Sequence, residues 1–174
     1  MSASNKGTVV LGELKDFLGF LQGMWGILAG VSVLFPLSNS LAKVIPLKEW
    51  GPGGALLNFS PQLVTIVTTL VALFVILATF GQRDAFRTRT KRRVLQQQAW
   101  PSFVVAILAL IIYVGIYSLV ANGFFMSQFG WGYETDPRWL LTDVLLLLSY
   151  SIFFALMTRA FVLLGMLEYF GKEE

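Results

Sequence analysis

Residues 61–81 read PQLVTIVTTLVALFVILATFG, a run of 21 residues without a single charged side chain. A helix that crosses the hydrocarbon core of a bilayer needs about 20 mostly apolar residues, because each residue adds about 1.5 Å. Ser60 followed by Pro61 is a helix-start signal, with a capping residue before a proline at the first helical position. The run predicts a transmembrane helix and thereby an integral membrane protein.

The sequence on either side of this run predicts three further spans. No charged residue occurs from 17 to 42 or from 94 to 133. A fourth apolar segment begins after Asp136-Pro137 and carries two intramembrane charges, Asp143 and Arg159. The predicted helices cover about 15–36, 61–81, 101–121 and 138–167. We expect a single all-α domain over residues 1–174, an integral membrane four-helix bundle.

Composition agrees with a membrane protein and excludes several kinds of chemistry. Of the 174 residues, 56% are hydrophobic and 13% charged, against about 45–50% and about 25% in soluble domains. The chain has no Cys and no His, which excludes disulfides, thiol nucleophiles, Cys or His zinc sites and Ser–His catalysis. There is also no phosphate loop and no dinucleotide fingerprint. We therefore predict no catalytic residue, no metal site and no cofactor.

The loop between the second and third predicted helices is strongly basic, and this sets the orientation. It holds six basic side chains against one acidic one, Asp84. Lys and Arg accumulate in cytoplasmic loops, so both termini are expected in the cytoplasm of a bacterial cell with the chain in its inner membrane. The basic residues are Arg83, Arg87, Arg89, Lys91, Arg92 and Arg93.

This basic loop has two interpretations. No Gly or Pro interrupts residues 82–100, so helices 2 and 3 should continue beyond the membrane, with Arg83, Arg87 and Lys91 in one row. The charge could simply set topology and attract anionic lipid. Alternatively, it could bind a cytoplasmic protein, a nucleotide or nucleic acid, although no aromatic stacking platform accompanies it.

Glycines repeat along the first predicted helix. Gly19, Gly23, Gly26 and Gly30 form two overlapping GxxxG patterns, and in lipid such small residues let helices approach closely. The face either packs inside the subunit or joins copies of the chain in a homo-oligomer.

Polar side chains in the other predicted helices are the remaining candidates. A stripe in the second helix comprises Thr65, Thr68, Thr69 and Thr79. It either lines a water-filled path or consists of hydroxyls bonded to nearby backbone. Asp143 should lie near the outer interface within reach of water, and Arg159 could pair with Asp16 or Glu13.

These features lead to three functional hypotheses. The leading one is a non-enzymatic, self-associating membrane subunit, a sensor or scaffold. Its basic loop would contact a soluble partner or anionic lipid, in a layout shared with bacterial defence and signalling assemblies. The second is an oligomeric pore or small-solute channel lined by the threonine stripe. The third is a membrane enzyme acting on a lipid-soluble substrate, for which a cavity holding Arg159 and Tyr113 or Tyr150 would be the sign.

Overall fold

A computed structural model describes residues 3–42, 61–86, 88–131 and 138–170, and all regular structure within these ranges is helical. A 3₁₀ turn at Arg83–Ala85 joins the third and fourth of the α-helices. The α-helices are α1 (Ala3–Gln22), α2 (Met24–Ala42), α3 (Pro61–Phe80), α4 (Arg89–Ala121), α5 (Phe124–Phe129) and α6 (Trp139–Phe170).

Two of the described helices are long and apolar enough to cross a membrane by themselves. They are α4, over Lys91–Ala121, and α6, over Leu141–Phe170. The bent pair of α1 and α2 passes the same test when counted as one span, and Ile66–Phe80 of α3 is a shorter apolar helix. The chain is therefore an integral membrane protein built from helices.

The prediction of one helix over about 15–36 is wrong, because this region forms two helices, α1 and α2, with a bend of 91° between them. Gly23 occupies the break: its N–H donates to the Phe20 carbonyl at 3.1 Å, and its own carbonyl accepts from the Ile27 N–H at 3.1 Å. Gly26 lies so close to the Phe20 carbonyl that any Cβ there would collide with it. The bend thus needs glycine at position 26, since every other side chain begins with a Cβ.

The second and third predicted helices correspond to α3 and α4. The predicted extension into the basic loop is confirmed for α4, whereas α3 does not extend into it. α4 begins at Arg89 and runs through Pro101, whereas α3 ends at Phe80 and is followed by the 3₁₀ turn. Phe86 is fully buried after that turn and anchors the connection to the bundle. Arg83 and Lys91 consequently lie on different helical segments, so their predicted single row does not form.

A short helix that the sequence did not predict, α5, follows α4. Gly123 and Gly130 adopt left-handed backbone angles on either side of it, with φ of 64° and 60°, which residues with a Cβ rarely adopt. Trp131 then stacks on Phe125 with ring centroids 4.6 Å apart. These contacts fold the connection back over the end of α4.

α6 is the central helix and packs against α4, α3, α2 and the end of α1. Small residues allow close approach where helices meet: Ala72, Ala99, Ala106 and Ala160 are almost fully buried. The largest buried cluster joins all these helices at the end of the bundle near the basic loop. This end is therefore the best-packed part of the chain.

A buried hydrogen bond also joins α2 to α6. The Ser32 hydroxyl donates to the Ala29 carbonyl at 2.7 Å and lies 2.6 Å from the Thr158 hydroxyl. Since Ser32 has one proton and gives it to Ala29, Thr158 is the donor between the two hydroxyls. Such bonds in a membrane protein average about 0.6 kcal/mol, so this one fixes helix register more than it adds stability.

Candidate functional site

A pocket of about 300 Å³ lies on the flank of the α4–α6 pair, at the lower end of the volumes typical of small-molecule sites. We call it the α4–α6 pocket. Its lining residues are Arg92, Gln96, Trp100, Leu164, Leu167 and Glu168.

The α4–α6 pocket has a polar end and an apolar end. Arg92, Gln96 and Trp100 are four residues apart and form one row on α4, about 12 Å long at 1.5 Å per residue. α6 runs antiparallel to α4, as the bond from Arg159 to Gln98 and the ring contact of Tyr113 with Tyr150 indicate. Glu168 therefore lies toward the Arg92 end, and Leu164 lies toward Trp100.

This arrangement suits an amphiphilic ligand with an anionic headgroup. The planar guanidinium of Arg92 can donate two hydrogen bonds to phosphate oxygens. A carboxylate in the same pocket, that of Glu168, can accept a proton from a water molecule. Trp100 prefers the interface between water and membrane, and Leu164 extends the apolar surface away from the charges. The lining thus combines a group that binds anions, a carboxylate and a contact for a hydrocarbon chain.

The basic side chains of the loop do not all have the same surroundings in the structure. Arg83 donates to Glu13 of α1 at 2.9 Å, and this hydrogen bond raises the pKa of Arg83, so its charge is committed to an ion pair. Arg92 lines the pocket, whereas Lys91 and Arg93 are exposed beside it. Arg87 and the side chain of Arg89 lie outside the described residues. The nearby Lys91 and Arg93 keep the local potential positive, which favours an anionic headgroup.

The two predicted intramembrane charges do not behave as expected. Arg159 donates to the Gln98 side chain at 3.0 Å and not to Asp16 or Glu13, its two predicted partners; Glu13 pairs with Arg83 instead. Asp143 is 3% exposed, so the expected access of water to it is not seen. Arg159 itself is exposed.

The glycine stripe does not form one face, because the bend divides it. Gly19 on α1 packs against the Tyr169 ring of α6, and Gly26 makes the bend possible. Gly23 lies at the break itself, and Gly30 on α2 has open space where a Cβ would be. Gly19 is thus a packing site inside the subunit, while homo-oligomerisation through these glycines stays a prediction.

The threonine stripe faces the interior of the subunit. Thr68, Thr69 and Thr79 are at most 8% exposed, and Ala72 between them is fully buried; the side chain of Thr65 lies outside the described residues. The Thr69 hydroxyl has no hydrogen-bond partner among the described atoms. Because this face is covered by α2 and α6, it cannot line a path between subunits.

Most of the α4–α6 pocket was missed from the sequence. Of its lining residues only Arg92 was a candidate, as part of the basic loop. The signal that could have been read is the Arg92-Gln96-Trp100 row, with Glu168 at the matching end of α6. Within the described residues, no group of three or more acidic side chains is placed to hold a metal ion.

Comparison with known proteins gives one informative likeness. The chain is 29% identical over 136 residues to an undecaprenyl-diphosphatase of Prochlorococcus marinus, an alignment that covers 74% of this chain and 44% of that protein. The chain thus spans less than half the length of this curated relative. No family model matches the chain, and no solved structure matches it.

This likeness to an enzyme contradicts two predictions from the sequence: that the chain is not an enzyme, and that it is a non-enzymatic sensor or scaffold. The first rested on the lack of a catalytic motif, and the second on the glycine stripe and the basic loop. An Arg and a Glu on two separate helices leave no local motif, because they meet only when the helices pack. The alternative of a membrane enzyme fits the comparison better. The predictions of a cytoplasmic protein partner or of nucleic-acid binding stay predictions.

Proposed function

We propose that this chain is a membrane hydrolase that removes the terminal phosphate from a polyprenyl diphosphate lipid, with the α4–α6 pocket as its headgroup site. Two observations together support this function. The chain is similar to an undecaprenyl-diphosphatase, and the α4–α6 pocket combines Arg92 and Glu168 with the apolar Trp100 and Leu164. The substrate class is that of the relative, an undecaprenyl-diphosphatase.

In the proposed reaction, water attacks the terminal phosphorus. Glu168 accepts a proton from the water, whose oxygen forms a new bond to that phosphorus. The bond from the phosphorus to the bridging oxygen breaks, and its electron pair stays on the lipid monophosphate. Inorganic phosphate leaves. Arg92 holds the phosphate oxygens in place and stabilises their charge, which is the main catalytic contribution in phosphoryl transfer.

The test is phosphate release by the purified chain in phosphatidylcholine nanodiscs that contain undecaprenyl diphosphate. We expect one inorganic phosphate and one lipid monophosphate per turnover, measured by a molybdate dye and mass spectrometry. In water enriched with oxygen-18, the label should enter the released phosphate. A water-soluble diphosphate without a long chain, such as isopentenyl diphosphate, should be a much poorer substrate. Release that does not exceed that of empty nanodiscs would refute the proposal.

The topology that we propose places both termini and the basic loop on the cytoplasmic side of the inner membrane, with α2, α3, α4 and α6 crossing. The 19 residues of α2 span about 28 Å at 1.5 Å per residue, close to the hydrocarbon thickness of about 30 Å. The asymmetry of Lys and Arg between loops supports this orientation.

This topology predicts the labelling of single cysteines, and the chain has no Cys of its own. Cysteines at Arg93 and at Lys172 should be protected from an impermeant maleimide in intact spheroplasts and become labelled after lysis. A cysteine at Gln128, after α4 and on the opposite side of the membrane in this topology, should be labelled before lysis. The reverse pattern would show the opposite orientation.

A further inference from the structure

α1 carries an exposed apolar face along residues 10–18. Five of its large apolar side chains are more than half exposed, and Val10, Leu11, Leu14 and Leu18 are four of them. At 100° per residue these four lie within an arc of about 100° on the helix surface. Val9 is the fifth and lies outside this arc. The segment is therefore amphipathic, with one apolar face that none of the described residues covers.

The charged residues of α1 lie outside that arc. On the helical wheel Glu13 and Lys15 flank the apolar face on its two sides, and Asp16 is nearly opposite its centre. Glu13 is held by the ion pair with Arg83, which directs this edge of the helix toward the basic loop. Charges at both edges and an apolar face between them are typical of helices that lie along a membrane surface.

The position of α1 in the fold agrees with such an orientation. Its axis is bent by 91° from that of α2, so α1 runs parallel to the membrane plane when α2 crosses it. Its C-terminal part is fixed to the ends of two other helices: Phe17 lies edge-on to Phe80 of α3, with ring centroids 5.4 Å apart, and Gly19 packs against Tyr169 of α6. α1 therefore lies where α3 and α6 end.

We propose that α1 is an interfacial helix whose Val10, Leu11, Leu14 and Leu18 insert among the acyl chains of the leaflet on the basic-loop side. Two observations indicate that lipid, and not another protein surface, contacts this face of α1. Beyond the bend, α2 also exposes apolar side chains, such as Ile27 and Val31, as expected of a helix that contacts lipid. The three charged side chains within residues 13–16 also oppose deep insertion, since charged groups are costly to bury at the bilayer centre. The inference does not depend on the proposed hydrolysis.

The test uses spin labels on single cysteines in the full chain, reconstituted in phosphatidylcholine nanodiscs. Labels at Leu11, Leu14 and Leu18 report the apolar face, and labels at Lys15 and Asp16 are the matched controls. At the three leucine positions, we expect collisions with oxygen to exceed those with a water-soluble nickel chelate several-fold. At Lys15 and Asp16, collisions with the nickel chelate should exceed those with oxygen. The depth calculated from the two collision rates should then vary along α1 with the helical period of 3.6 residues.

Three results would overturn the proposal. Equal access of the nickel chelate to all five positions would place α1 in water. Oxygen-rich surroundings at Asp16 as well as at Leu14 would place α1 across the hydrocarbon core. Strong dipolar broadening at Leu14, removed by dilution with unlabelled protein, would make a second copy of the chain the occupant of this face.

Discussion

Replacing Glu168 by Gln should lower the rate of phosphate release from undecaprenyl diphosphate by about 10²–10⁴-fold, the usual contribution of a general base. The amide keeps the size of the side chain but cannot accept a proton from water. Binding should change less, because Arg92 and the apolar end of the α4–α6 pocket remain. The measurement is the initial rate in nanodiscs across a range of substrate mole fractions, which separates kcat from KM.

The matched control makes the same substitution at Glu13, an acid paired with Arg83 outside the pocket. Glu13→Gln should retain the wild-type rate. Thermal unfolding of both variants in detergent separates a catalytic effect from a loss of folded protein. If Glu168→Gln is folded and retains the wild-type rate, Glu168 is not the base. If Glu13→Gln is equally inactive while folded, the activity depends on the ion pair and not on the pocket.

Replacing Gly26 by Ala should destabilise the chain by about 1–3 kcal/mol, the usual cost of forcing extra volume into a packed site. The added Cβ would collide with the Phe20 carbonyl, and the Phe20 carbonyl carbon would lie 2.8 Å from it. Backbone cannot rotate aside as a side chain can, so the bend between α1 and α2 must open. The contacts of α1 with Phe80 and Tyr169 would then weaken. A lower thermal midpoint in detergent is the expected readout.

Gly30→Ala is the control for this prediction, because a Cβ at Gly30 has no heavy atom within 4 Å. Both changes add one methyl group to the same helix, and alanine also favours helix over glycine by about 1 kcal/mol. Gly30→Ala should therefore be neutral or stabilising. Equal midpoints for the two variants would mean that the bend does not need glycine at position 26.

The sequence predicted the helices that hydropathy and proline define. α3 was expected over about 61–81 and covers Pro61–Phe80; α6 was expected over about 138–167 and covers Trp139–Phe170. Both helices begin within two residues of a proline, and the first charged residue after α3, Arg83, marks its C-terminal end. The class of integral membrane protein followed from the same runs. These features are local, so they can be read one segment at a time.

The bend and the pocket could not be read in this way. Gly19, Gly23 and Gly26 look like a regular packing stripe, and their spacing does not reveal that the Phe20 carbonyl must approach Gly26 at a turn. The pocket arises because Arg92 and Glu168 come together when α4 and α6 pack antiparallel. That pairing depends on the register between the helices, and hydropathy contains no information on register. The contact of Glu13 with Arg83 was missed for the same reason.

The α4–α6 pocket opens between two long helices, with Arg92 and Glu168 near the basic loop and with Trp100 and Leu164 farther along the helices. An amphiphile dissolved in the membrane can reach it by lateral diffusion within one leaflet, without leaving the bilayer. The search for the site is then two-dimensional. The concentration that governs occupancy is the number of lipid molecules per unit area, so dilution with other lipids lowers occupancy even when the bulk concentration is constant.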